Sequence, residues 1–89
     1  MEVLECYQNK LISLDLSSYP KLRILSCYQN QLKYLILPNF NQITIIKASN
    51  NYLINFNYSC LNHDFLRELH IENNNLEPTD LLIFLLFLT

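Results

Sequence analysis

Apolar residues alternate with polar ones in short bursts, and the bursts recur. Leu4 and Cys6 flank Glu5, Leu25 and Cys27 flank Ser26, Ile46 and Ala48 flank Lys47, and Leu69 and Ile71 flank His70. An apolar residue at every second position marks a strand with one buried face. The spacing between bursts is 21 residues for the first three and 23 for the last. A second alternation follows in each of the first three units: Leu14 and Leu16 around Asp15, Leu35 and Leu37 around Ile36, Phe56 and Tyr58 around Asn57. Each unit thus predicts two short extended segments and one apolar edge that it cannot bury alone. Stacking the units joins those edges into one core, which predicts a strand-dominated α/β solenoid with a parallel sheet on one side and extended segments on the other. Tyr19, Phe40 and Leu61 share a phase and predict a further packed row, with Pro20 and Pro38 at the turns between halves.

Numbered from Met1, Leu22, Ile43 and Leu66, position 4 holds Leu4, Leu25, Ile46 and Leu69. Position 6 holds Cys6, Cys27, Ala48 and Ile71, and position 11 holds Leu11, Leu32, Leu53 and Leu76. Position 9 is asparagine in every unit: Asn9, Asn30, Asn51 and Asn74. The pattern Leu-x-x-Leu-x-Leu-x-x-Asn-x-Leu resembles the leucine-rich repeats, over nearly the whole chain. That resemblance implies a short horseshoe segment with a concave parallel sheet, in which the four asparagines bond neighbouring turns as a ladder. The alternative for these residues is a turn-forming asparagine without a ladder. Short units with cysteine at position 6 are similar to the cysteine-ladder repeats of bacterial internalin-like adhesins. The tract from Asn73 to Phe84 is similar to fungal intracellular leucine-rich-repeat proteins. The two point to different compartments; the chain opens with no basic region followed by an apolar one, which favours an intracellular, cytoplasmic protein.

The repeats divide the single domain at about 1–21, 22–42, 43–65 and 66–89. The last unit departs from the others. Two extra residues fall within Asn62-His63-Asp64-Phe65, and after Leu76 the sequence Glu77-Pro78-Thr79-Asp80 reads as a helix start, with Thr79 as N-cap. One C-terminal helix from about Asp80 to Leu88 is predicted. Its run Leu81-Leu82-Ile83-Phe84-Leu85-Leu86-Phe87-Leu88 is too short to span a bilayer, which takes roughly 20 residues. It suits burial or self-association. With no polar capping unit in the pattern, the chain reads as part of a longer array.

Composition narrows the chemistry. The 89 residues contain no glycine and no tryptophan but twelve asparagines. Phosphate-cradling loops, dinucleotide turns and the nucleophile elbow depend on glycine's backbone freedom, so none is present in standard form. Asparagine tolerates left-handed backbone next best, and some of the twelve are expected at such turns. A net charge of -2 gives no electrostatic case for nucleic acid or an anionic membrane. The three cysteines show no metal-binding spacing. Cys6 and Cys27 share a phase, which suits a buried apolar row. Parallel strands about 5 Å apart could bring their Cα atoms within disulfide range, but their Cβ vectors would run side by side. Asn57-Tyr58-Ser59 matches a glycosylation sequon, relevant only to a secreted chain. No motif joins a nucleophile to a base, no cofactor is implied, and the chain reads as a non-enzyme.

The outward strand positions define the candidate site. Position 3 gives Val3, Ile24, Ile45 and Glu68; position 5 gives Glu5, Ser26, Lys47 and His70; position 7 gives Tyr7, Tyr28, Ser49 and Glu72. One end of the face is apolar and aromatic, the other charged. Tyrosine beside apolar neighbours suits an interface anchor; the same residues also stabilise adjacent strands. Glu68, His70 and Glu72 carry metal-binding atoms, but a solvated face with a salt-bridge option to Lys47 fits them better. The family resemblance implies a protein or peptide bound on the concave face. The alternative is an interior piece of a larger receptor, such as the substrate-recognition part of a ubiquitin ligase, without separate activity.

Overall fold

The computed structural model describes residues 1–62 and 64–77. The expected C-terminal helix, its apolar run and His63 lie outside them. Among the described residues six short strands form: β1 (Val3–Glu5), β2 (Ser13–Asp15), β3 (Ile24–Ser26), β4 (Tyr34–Ile36), β5 (Ile45–Lys47) and β6 (Glu68–His70). The helical element among the described residues is a single 3-10 turn, Tyr58–Cys60. Strands β1, β3, β5 and β6 make a parallel four-stranded sheet in that order, while β2 and β4 make a parallel pair on the other side. The chain is a strand-dominated solenoid of stacked turns.

The period sets the register. Leu4 lies beside Leu25, Leu25 beside Ile46, and Ile46 beside Leu69. The second alternation behaves likewise, with Leu14 beside Leu35. Identical phases therefore face the same interior layer. Leu22, Leu25, Cys27, Leu32, Ile46, Ala48 and Leu53 have no exposed surface. Residues of the same phases in the first and last turns, among them Leu4, Cys6, Leu11, Leu69 and Ile71, are only partly buried. Each fully buried aliphatic side chain contributes about 1.5–3 kcal/mol through removal from water.

Where the chain leaves the four-stranded sheet it turns through left-handed backbone, always at position 8. Gln8, Gln29, Asn50 and Asn73 have φ of 58°, 56°, 59° and 58°. Asparagine fills two of these corners, as its tolerance suggests. Glutamine fills the other two, although its longer side chain has no special aptitude for this conformation. Pairs of these exposed amides bond across turns, Gln8 Nε2 donating to Gln29 Oε1 at 2.8 Å and Asn73 Nδ2 to Asn50 Oδ1 at 2.9 Å.

The position-9 asparagines sit immediately inside those corners. Asn30 donates from Nδ2 to the carbonyls of Cys27 and Cys6, each at 3.0 Å, and accepts at Oδ1 from the amides of Asn9 and Leu11 at 3.1 Å. Asn51 donates to Ala48 and Cys27 and accepts from Leu32. Asn74 donates to Ile71 and Ala48 and accepts from Leu53. Asn9 donates to its own turn, at Cys6 and Tyr7. Burying an amide in this way costs little because both its ends are satisfied.

The far side departs from the expected packed row. Phe40 is 90% exposed and Tyr19 43%, whereas Leu61 of the same phase is buried. The inward place in the second turn goes instead to Pro38 and Asn41. Asn41 donates from Nδ2 to the carbonyls of Pro38 (2.8 Å) and Cys60 (2.9 Å), and its Oδ1 accepts from the Ile43 amide at 3.2 Å. A satisfied asparagine at the corner turns the preceding phenylalanine outward. On the first turn, the Ser17 hydroxyl and backbone amide hold the exposed Asp15 carboxyl below its usual range.

Candidate functional site

The outer face of the four-stranded sheet gathers the residues assigned to it by alternation. Val3, Ile24, Ile45 and Glu68 lie side by side, as do Glu5, Ser26, Lys47 and His70. The row just beyond the strands is Tyr7, Tyr28, Ser49 and Glu72. Backbone bonds fix it: Gln8 N to Tyr28 O (3.0 Å), Gln29 N to Ser49 O (3.1 Å) and Asn50 N to Glu72 O (3.0 Å).

Tyr7 and Tyr28 stack face to face, with ring centroids 4.8 Å apart and planes 3° from parallel. That separation equals the spacing of neighbouring strands, about 4.7–4.9 Å, so the backbone sets the stack. Tyr7 is 39% and Val3 49% exposed. With half-buried Ile24, Ile45 and Tyr28 they make a continuous apolar and aromatic area at one end of the face. Ser26 does not belong to the accessible surface. It is 8% exposed, set between the longer Glu5 and Lys47 in its own row and between Ile24 and Tyr28 along its strand.

At the other end His70 Nε2 lies 3.3 Å from Glu68 Oε1. This replaces the expected option with Lys47, because residues two apart on one strand project from the same face. Both side chains are about half exposed, and such a pair adds little stability. Among the described residues no group of three or more His, Cys, Asp or Glu is placed to hold a metal ion.

The thiols face inward. Cys27 is fully buried, and burial, with a smaller contribution from Cys6, pushes its pKa up to about 12. Burial also raises the Cys6 and Cys60 thiols. A raised thiol is a poor nucleophile and a poor metal ligand. All three are free.

A concavity unanticipated from the sequence lies where the chain re-enters the four-stranded sheet. It is an open groove of about 910 Å³ lined by Glu2, Lys21, Arg23, Phe40, Asn41 and Asp64, among others. Acidic and basic groups are mixed along it. Its signal in the sequence was the asparagine at position 20 in two successive units, Asn41 and Asn62, which reads equally well as ordinary turn chemistry. No helix among the described residues is long and apolar enough to cross a membrane. No family model, no curated protein and no solved structure matches the chain.

Proposed function

We propose that the chain is a leucine-rich-repeat module that binds a protein or peptide on the outer, concave face of its four-stranded sheet. The observation that carries this reading is the Tyr7–Tyr28 stack, exposed at Tyr7 and half-buried at Tyr28, beside Val3, Ile24 and Ile45. Large, stiff aromatic side chains on a fixed backbone give contact area at low entropic cost, which is what interface anchors need. On this reading Asn9, Asn30, Asn51 and Asn74 are the asparagine ladder of such repeats, and Cys6 and Cys27 their cysteine row. Both are structural. The module binds without catalysing: an open sheet face is a poor enclosure for chemistry.

The test is selection of binders from a displayed random-peptide library against the folded chain. Clones recovered on the native protein are expected to lose at least about tenfold in affinity on the Tyr7→Ala, Tyr28→Ala double variant, the loss of one hot-spot residue or more. Clones that bind both proteins equally would sink the proposal.

A further inference from the structure

The row that begins with two tyrosines does not continue with a third. One step beyond Tyr28 stands Ser49, and one step beyond that Glu72, each held level by the backbone bonds given above. The side of the Tyr28 ring turned away from Tyr7 therefore overlooks a place one ring wide, floored by a short hydroxyl side chain. Two strand spacings, about 9.6 Å, separate the Tyr28 and Glu72 backbones. A planar group stacked on Tyr28 would lie over Ser49, within reach of the Glu72 side chain one strand further on, whose length lets its carboxylate meet the edge of that group.

We propose that this gap takes the guanidinium of an arginine from a peptide or protein partner, stacked on Tyr28 and paired with Glu72. The inference rests on the outer face being the binding surface and names the side chain that it recognises. A guanidinium is flat, permanently charged and weakly hydrated, so one group can stack on a ring and fork onto a carboxylate. A lysine ammonium offers no flat face. A neutral ring would extend the stack but leave Glu72 without a partner.

The charges on the face point the same way. Glu5, Glu68 and Glu72 stand against Lys47. The ion pair that forms among the described residues is His70–Glu68, which leaves Glu72 available to an incoming cation. Lys47, two residues before Ser49 on the same side of the strand, opposes the arginine. It is exposed on a long flexible stem that can swing away.

The test titrates the isotope-labelled full chain with blocked pentapeptides carrying arginine, lysine, phenylalanine or leucine between alanines, read by amide chemical shifts. The arginine peptide is expected to move the Tyr28, Ser49 and Glu72 amides and to bind about fivefold more tightly than the lysine peptide. Glu72→Gln should weaken it about fivefold and Lys47→Gln tighten it about twofold. Ser49→Tyr should fill the gap and abolish binding while leaving the fold intact. Equal affinity for arginine and lysine, no effect of Glu72→Gln, or shifts mapping elsewhere would overturn the inference. If the leucine or phenylalanine peptide instead binds around Val3, Ile24 and Ile45, the arginine inference falls and the binding-face reading stands. If no peptide perturbs the outer face the inference also falls, and the fate of the wider reading is decided by the library clones and their Tyr7, Tyr28 dependence.

Discussion

The first two turns carry nearly the same words, Leu4-Glu5-Cys6-Tyr7-Gln8-Asn9 and Leu25-Ser26-Cys27-Tyr28-Gln29-Asn30. They live in different surroundings. Leu25 and Cys27 have no exposed surface, whereas Leu4 and Cys6 are partly open. Asn30 bonds two turns and accepts from two amides, whereas the Asn9 side chain donates within its own turn. The second turn has a neighbour on each side in the described structure and the first has one. In a stack, the worth of a residue depends on how many turns touch it, and identical residues in identical conformations differ in energy accordingly.

Five measurements test how far the two turns differ. The largest effect is in the core: Leu25→Ala should cost about 3–4 kcal/mol in urea unfolding and Leu4→Ala about 1–2 kcal/mol, because only the former leaves an enclosed cavity. Equal losses would mean that the first turn is as tightly enclosed as the second.

Thiol labelling near neutral pH comes next. Cys6 should react about a hundredfold faster than Cys27, whose modification awaits local opening. The Cys27 thiol also ties stability to pH. Its pKa is near 8.5 when unfolded and about 12 when folded, so between these values the unfolded chain holds fewer protons. Stability should therefore be intact below about pH 8.5 and decline as pH rises toward 12. The decline should be shallower in Cys27→Ala, and parallel pH profiles would refute the burial of this thiol.

The asparagines give a smaller contrast. Asn30→Ala should cost about 2–3 kcal/mol, since it orphans amides and carbonyls from two turns, and Asn9→Ala less than about 1 kcal/mol. The smallest effect is a control in which the two turns should agree. Gln8→Gly and Gln29→Gly relieve the same left-handed conformation and lose the same side-chain bond, so each should gain about 0.5 kcal/mol. A difference between them would show that the corner is shaped by its neighbours.

Much of this architecture was legible because it is written periodically. Alternation named the buried faces of the strands, and the recurrence at 21 residues named their register, since a slip of one would turn every apolar side chain outward. The outward face followed from the same parity. The corners were less legible. Phe40 looked like core by phase and hydrophobicity, yet Asn41 takes the inward place because it satisfies three backbone groups there. Ser26 was outward by parity but is covered by its longer neighbours, which parity does not report. Glutamine at a left-handed corner runs against propensity, and the sheet it terminates outweighs that preference. The gap beside Tyr28 is visible in the sequence only when serine is read across turns as the missing third ring.

Strand β6 pairs with β5 in full register although it follows two residues later than the period requires: Ile45 meets Glu68, while Ile24 meets Ile45. The solenoid thus measures position at its strands and not along its contour. Extra chain inserted before β6 has already been absorbed without disturbing the sheet, which marks that corner as the place where evolution or an engineer can graft new loops onto the stack.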